Sequence, residues 1–266
     1  MEKQKTYTLI TGGSMGIGLE LARNFARAGH HLILVARHQE ELDKAADELK
    51  GVGGIEVITI AKDLSEMDQA KALYQETVAK NLKVEILVNN AGQGCYGLFK
   101  DTDLKKELAI IHLNICSLVI LTKLYMKDMI AAGYGKILNT SSVVAKAPGP
   151  WHAVYHATKA FVQSFTEALR AEVKDDGIAV TALLPGATAT DFFRKANMLE
   201  SKAVQDGDLA DPAEVAKAGF EALMRNDNMV VSGMKSKMTV AMAAVMPDEK
   251  LADQFLKRQA PKSDED

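Results

Sequence analysis

Short apolar runs rich in β-branched residues alternate along this chain with longer stretches whose apolar positions recur every three to four residues. The runs Tyr7–Thr11, Leu32–Ala36, Val57–Ala61, Ile86–Asn89, Lys136–Ser141 and Ile178–Leu184 are continuously apolar, the pattern of strands covered on both faces, and a seventh is predicted near Met229–Ser232. Between them the periodicity predicts helices over 17–28, 39–50, 66–81, 103–131, 152–174 and 212–225. Gly29 serves as a C-cap, and the turn-rich Gly51-Val52-Gly53-Gly54 follows the second helix. Strict alternation of strand and helix requires a mostly parallel sheet with right-handed crossovers. The expectation is therefore a single α/β domain, doubly wound, with seven strands, helices on both faces and ligands at the carboxyl ends of the strands.

This pattern accounts for residues 1–233. Residues 234–266 read as a C-terminal extension packed on the same domain or on a partner subunit. Pro247, with Asp248 and Glu249 after it and Lys257 and Arg258 at the far end, predicts a helix whose charges suit its dipole. Leu251, Phe255 and Leu256 form its apolar stripe; Met238, Met242 and Met246 before it read as ordinary core packing, and Pro261 to Asp266 as disordered.

Composition narrows the classes of function. With 266 residues, 47% apolar and 25% charged, the chain can bury one large core, and its net charge of −3, with no long block of like charges, argues against a nucleic-acid partner. Cys95 and Cys116 have neither metal-site spacing nor disulfide density, so no metal is expected and a reducing compartment is. The short N-terminal segment before the first strand leaves no room for a signal peptide. The longest apolar region, around 108–125, is interrupted by His112, Asn114 and Lys123, against a membrane span. A cytoplasmic protein without integral membrane association is the expectation.

The candidate chemistry begins at the first strand–helix junction, where Thr11-Gly12-Gly13-Ser14-Met15-Gly16-Ile17-Gly18 spaces Gly12, Gly16 and Gly18 as G-x-x-x-G-x-G. Without side chains in the way, phosphate can approach the backbone and meet the free N–H groups of a helix N-terminus. Downstream, Tyr155 and Lys159 stand four residues apart on a predicted helix, so the phenol and the ammonium share one face. A fixed cation there should pull the phenol down from about 10 toward a useful acid range. Ser142 lies thirteen residues before Tyr155.

Thr11–Gly18, Asn89-Asn90-Ala91-Gly92, Asn114, Ser142, Tyr155, Lys159 and Pro185-Gly186-Ala187-Thr188-Ala189-Thr190, in this order over about residues 6–232, resemble the successive motifs of the short-chain dehydrogenase/reductase family. The resemblance implies a Rossmann domain and hydride transfer between a nicotinamide cofactor and a carbonyl or alcohol. It makes Tyr155 the general acid, Ser142 a donor to the same oxygen and Lys159 the residue that holds the nicotinamide ribose. Asn114 becomes the helix asparagine of a proton relay. Ser142 is chosen over Ser141 because its separation from Tyr155 matches the family. The implied cofactor residues are Thr11, Gly12, Ser14, Met15, Gly16, Ile17, Gly18, Arg37, His38, Asp63, Leu64, Asn90, Ala91, Gly92, Tyr155, Lys159, Pro185, Gly186, Thr188 and Thr190. Within these, Asp63 and Leu64 flank the adenine, Asn90 lies near its ribose and Thr190 contacts the carboxamide. After the second strand, Ala36-Arg37-His38 replaces the acidic residue of NAD-binding relatives; Arg37 can fork onto a 2′-phosphate, so NADP(H) is expected over NAD(H).

The same resemblance places the substrate among loops carrying Cys95, Tyr96, Leu98 and Phe99, then Val143, Val144, Pro148 and Trp151, then Phe192, Phe193 and Met198. Such an apolar set suits a ketone or aldehyde with a hydrophobic body. Arg194 and Lys195 nearby could instead hold an acidic tail, and His152 and His156 read as helix-surface or pocket-rim residues. The expected activity is that of a carbonyl reductase or alcohol dehydrogenase acting as a homodimer or homotetramer. Its alternatives are a 3-oxoacyl thioester reductase, a non-catalytic nucleotide-binding scaffold and a lipid enzyme held at a membrane surface by its C-terminal segment.

Overall fold

Seven strands, β1 (Thr6–Thr11), β2 (His31–Ala36), β3 (Val57–Ala61), β4 (Lys83–Asn89), β5 (Gly135–Thr140), β6 (Ile178–Leu184) and β7 (Met229–Val231), form one sheet in the order β3-β2-β1-β4-β5-β6-β7. Every neighbouring pair is parallel. The computed structural model describes residues 5–52, 54–205 and 207–262. Strand order reverses at β1, which lies between β2 and β4, so the crevice of a doubly wound sheet opens at the carboxyl ends of these strands.

Helices cover both faces. On one side α3 (Gln69–Ala79), α5 (Leu118–Ala132) and α6 (Ala153–Glu172) pack Leu73, Leu121, Tyr125 and Leu169 against Leu9, Leu87 and Val180. On the other, α1 (Gly16–Arg27), α2 (Gln39–Lys50) and α9 (Pro212–Met224) pack Phe25, Leu42, Val215 and Leu223 against Ile10, Leu34 and Val88. Phe25 and Phe220 meet edge to face at 5.0 Å, joining α1 to α9, a pairing that adds about 0.5–1.5 kcal/mol beyond burial. After β6 the helices shorten. Here α7 (Phe192–Lys195) and α8 (Lys202–Gln205) precede α9, and α10 (Met234–Ala243) and α11 (Asp248–Gln259) follow β7.

Several expectations need correction. The helix predicted over 103–131 is α4 (Leu104–Ile111), a π-helical turn (His112–Ser117) and α5, and Asn114 sits in the π turn. Leu104–Ala132 is long and apolar enough to cross a membrane by length and composition. It nevertheless carries the buried Leu118, Leu121, Tyr125 and Met129 into the core. β4 starts at Lys83 rather than Ile86, and α3 is shorter than its 66–81 prediction. β3 is an edge strand and only partly covered. Met238, Met242 and Leu256 are exposed rather than core, because periodicity marks a stripe but does not say what covers it. Pro261 is not loose, since it bridges Ser201 and the next N–H, from Lys262, reaches the Glu200 carbonyl at 3.0 Å. Gly53 and residues 263–266 lie outside the described residues.

Candidate active site

The carboxyl ends of β1, β2, β4, β5 and β6 enclose a cavity of about 850 Å³, at the upper end of typical ligand-site volumes. It is lined by Gly12, Ser14, Met15, Gly16, Ile17 and Gly18, by Arg37 and His38, by Asp63 and Leu64, and by Asn90, Ala91 and Gly92. Ser142, Tyr155, Lys159, Pro185, Gly186, Thr188 and Thr190 complete that wall. Two expected members do not reach it. Thr11 is buried behind the loop, where its Oγ1 accepts the N–H groups of Asn90 and Ala91, both at 3.0 Å. Asn114 is buried as well: its Oδ1 accepts Gln93 N at 3.0 Å, and its Nδ2 donates to Gln93 O and to Thr158 Oγ1, each at 3.0 Å. Both amide donors and one lone pair of Oδ1 hold the loop after β4 to the π turn and α6.

The glycine loop fits an anion. Gly12 sits at φ +66°, and its N–H donates to Val35 O at 2.8 Å, which ties the loop to β2. A Cβ on Gly18 would stand 2.0 Å from the Gly12 carbonyl oxygen, so no larger residue fits beneath the turn. Met15 precedes α1 in extended conformation with no side-chain cap, leaving the first-turn N–H groups of α1 for a ligand. Arg37, exposed at the end of β2, faces this same end of the cavity with His38. The Asp63 carboxylate is held by the backbone and hydroxyl of Ser65, at 3.0 and 2.6 Å. An unobstructed backbone cradle with a guanidinium at the β2 end and threonine hydroxyls at the β6 end suits a dinucleotide.

At the other end α6 carries Tyr155 and Lys159. The Lys159 ammonium is buried, donates to Thr140 O at 2.8 Å and lies 5.7 Å from the centre of the Tyr155 ring. Burial pushes the Lys159 ammonium down to about 8. Tyr155 is pushed up to about 12, also by burial, while the Ser142 hydroxyl pulls it the other way. In the free protein the phenol is therefore set by burial, opposed by the Ser142 hydroxyl and not by the cation. Ser141 donates to Lys159 O at 2.9 Å and so fixes α6 to the end of β5, whereas Ser142 is the serine that acts on the phenol.

His152 and His156 line the cavity, as a pocket position requires, but both are buried and neither lies on the helix surface. His156 Nδ1 lies 2.9 Å from Ala147 O and its Nε2 3.2 Å from Gln259 Nε2, so the ring donates to the carbonyl and accepts from the amide. The His152 ring stands 4.9 Å from that of Tyr155. Burial lowers His152 to about 3 and His156 to about 4, so both are neutral near pH 7. Gly94 and Gly149 make room for them: a Cβ there would fall 2.7 Å from His152 Nε2 and 2.1 Å from His156 Nδ1. The glycines were the advance signal, Gly149 seven residues before its ring and Gly94 far from its own.

Of the expected substrate wall, Val143, Val144, Phe192, Phe193 and Met198 line the cavity, and α11 adds Phe255, Arg258 and Gln259, in keeping with an extension that docks at the pocket rim beside the loop at 191–206. Cys95, Leu98, Phe99 and Pro148 are not part of that lining. Tyr96 and Trp151 stack on each other at 5.5 Å, and the Tyr96 hydroxyl donates to the Gln259 carbonyl, so the pair buttresses α11 instead. Asp191 pairs with Arg194 through two bonds of 2.6 and 2.7 Å and with Lys195 at 3.4 Å, and Lys195 also lines the cavity.

Fold and site together define a Rossmann-type oxidoreductase. A family model described as short chain dehydrogenase matches residues 6–200, and the chain belongs to the short-chain dehydrogenase/reductase family, whose members bind a nicotinamide cofactor. It is 35% identical over 186 residues to a short chain dehydrogenase of Pseudocercospora fijiensis, covering 69% of this chain and 60% of that one. To the very-long-chain 3-oxoacyl-CoA reductase of Bos taurus it is 33% identical over 193 residues, again 69% of this chain and 60% of the relative. Among solved structures, a short-chain dehydrogenase from Sphingobium yanoikuyae in complex with NADPH superposes with a TM-score of 0.80 at 29% identity, over 94% of this chain and all (100%) of that one.

Proposed function

We propose that this protein is an NADP(H)-dependent reductase that interconverts a carbonyl and an alcohol on a small molecule with an apolar body. The observation that carries the reading is the convergence of Tyr155, Ser142 and Lys159 at one end of the cavity, between the glycine cradle and the wall of Val143, Val144, Phe192 and Met198. When bound, the dihydronicotinamide supplies the hydride. The rest falls to the chain. Ser142 and Tyr155 donate hydrogen bonds to the carbonyl oxygen as negative charge develops there, and Tyr155 Oη delivers the proton. Lys159 keeps a positive charge beside the phenol, favouring the phenolate left behind, and can reach a ribose hydroxyl. Asn114 acts through Gln93 and Thr158, keeping the loop after β4 and α6 at fixed separation. Arg37 would meet the 2′-phosphate, and Asp63, Leu64, Asn90 and Thr190, which line the cavity, would hold the adenosine and carboxamide ends.

The bovine relative's name supports a second reading with the same chemistry, a 3-oxoacyl thioester reductase, for which Arg258 at the cavity rim would take the acidic carrier. A cytoplasmic homodimer or homotetramer without nucleic-acid partners is the form proposed for either. The deciding experiment follows NADPH oxidation against ketones, aldehydes, steroids and acyl thioesters. Turnover of apolar ketones above thioesters is expected; a reversed order selects the second reading, and no turnover of any carbonyl overturns both.

A further inference from the structure

We infer that His152 holds a second, uncharged oxygen of the substrate, carried on the carbon beside the carbonyl that reacts at Tyr155, an inference that rests on the carbonyl chemistry proposed above. His152 is 3% exposed and lines the cavity, yet neither ring nitrogen meets a hydrogen-bond partner among the described residues. Nε2 is sealed beside Gly94, where a Cβ would fall 2.7 Å from it, which leaves Nδ1 as the nitrogen a ligand can reach. One turn further along α6, His156 is buried to the same degree but fully paired: Nδ1 donates to Ala147 O at 2.9 Å and Nε2 accepts from Gln259 at 3.2 Å. Buried polar groups are nearly always paired. The chain thus satisfies one imidazole from its own atoms and leaves the other, in the wall of the cavity, for what fills that cavity.

Position and charge define the class of ligand. The imidazole lies 4.9 Å from the Tyr155 ring and at 34° to it, with the rings of Tyr96 and Phe192 6.2 and 6.3 Å away. Rings in such contact bring their polar edges to neighbouring atoms of one ligand, so a substrate whose reacting oxygen meets Tyr155 carries its next carbon past His152. Burial keeps this imidazole neutral near pH 7, down at about 3, so it has no charge with which to hold a carboxylate or phosphate. An anion set among these rings would lose its water without gaining a partner. A neutral imidazole has one N–H and one lone pair. With Nε2 sealed, a proton there would be a buried donor without an acceptor, whereas a proton on Nδ1 turns the N–H toward the ligand. His152 then donates and the substrate oxygen accepts, as a keto or hydroxyl oxygen does. Vicinal diketones and α-hydroxyketones fit this site better than plain apolar ketones.

Calorimetric titration of the protein saturated with NADP⁺, which has no hydride to give, tests this by binding alone. The probes are acetylbenzoyl, a vicinal diketone, and isobutyrophenone, which has the same outline with a methyl group in place of the second keto oxygen. Wild type should bind the diketone about ten- to a hundredfold more tightly. His152→Leu and His152→Met remove the donor in two different shapes, and whichever of them melts as a folded protein should bind the two ligands within about threefold of each other. His152→Asn, whose amide nitrogen can stand where Nδ1 stands, should keep most of the preference. Equal binding of the two ligands by wild type overturns the inference, as does a preference that persists in folded His152→Leu or His152→Met. Loss of the preference in folded His152→Asn as well would make the imidazole a packing piece and overturns it too. A preference that behaves as expected, in a protein that reduces neither ketone with NADPH, supports the oxygen site and counts against the carbonyl chemistry alone.

Discussion

The two ends of the cavity are built by different means. At the cofactor end, position is set by backbone: Gly12 at φ +66° and Gly16 at φ +55° shape the loop, Gly12 N–H is pinned to Val35 O, and Thr11 anchors the start of the loop after β4. At the substrate end, position is set by side chains that meet across the chain. Gln259 receives the Tyr96 hydroxyl on its carbonyl and donates its amide to His156, Phe255 packs on the same imidazole at 5.4 Å, and Ala260 O accepts Lys202 N–H at 3.1 Å. A frame of main-chain geometry can recognise only a constant ligand, whereas a wall of side chains can be altered one residue at a time without disturbing the sheet. Substitutions at the two ends should therefore separate cofactor binding from substrate binding.

The largest effect is expected where the two ends meet. Tyr155→Phe keeps the ring and its packing against His152 and Phe192 but deletes the proton. Turnover should fall by about 10²–10⁴-fold while NADPH affinity, measured by fluorescence titration, stays within a few-fold of wild type. Substantial remaining turnover would assign the proton to another group.

Next comes a substitution confined to the cofactor end. Arg37→Ala should weaken NADPH by about ten- to a hundredfold, the effect of removing a charge-assisted bond worth about 1.5–3 kcal/mol, and leave NADH affinity unchanged. Equal affinity of wild type for the two cofactors would refute the preference.

The sheet and the cofactor end were the legible part of this chain. Continuous apolar runs and a glycine pattern are local properties, and the Tyr155–Lys159 spacing needs only a helix to acquire meaning. Local sequence did not reveal that Asn114 sits in a π turn, because a one-residue expansion of a helix leaves no periodic trace. It also did not reveal that His152 and His156 are buried, since the space for them is made by Gly94 and Gly149. Nor did it tell the methionines of α10 from core, because a stripe looks the same whichever environment faces it. The phenol was misjudged for a different reason: spacing reports that a cation is near, but not that burial sets the phenol.

That correction has a pH consequence at the seam between the two ends. Lys159 is held down to about 8, so its charge is present below that pH and is lost above it. The catalytic efficiency of carbonyl reduction should be level near neutrality and decline above about pH 8, approaching tenfold per unit at most. Tyr155, near 12, keeps its proton throughout that range and does not produce the decline. Lys159→Met should lower activity and flatten the profile; a profile that still bends near 8 in that variant would exclude Lys159 as its origin.

The smallest effect is expected at the substrate end. Phe255 lies on α11, lines the cavity and meets His156 edge to face at 5.4 Å, while His156 is fixed to Ala147 O at 2.9 Å. Phe255→Ala removes one partly buried ring, and the aromatic contact it breaks is worth about 0.5–1.5 kcal/mol. Spread over a domain of this size, a loss of about 1 kcal/mol lowers the melting temperature by roughly 2–4 °C, so the fold survives. The same contact orders the wall that an apolar substrate would touch, and 1 kcal/mol corresponds to about fivefold in binding. KM for the best carbonyl substrate should therefore rise by about that factor, with kcat nearly unchanged and NADPH affinity unaffected, because the glycine loop and Arg37 are held through β1, β2 and β4. If instead NADPH affinity falls together with KM, then α11 braces the whole crevice, and the division between a backbone-built and a side-chain-built end does not hold.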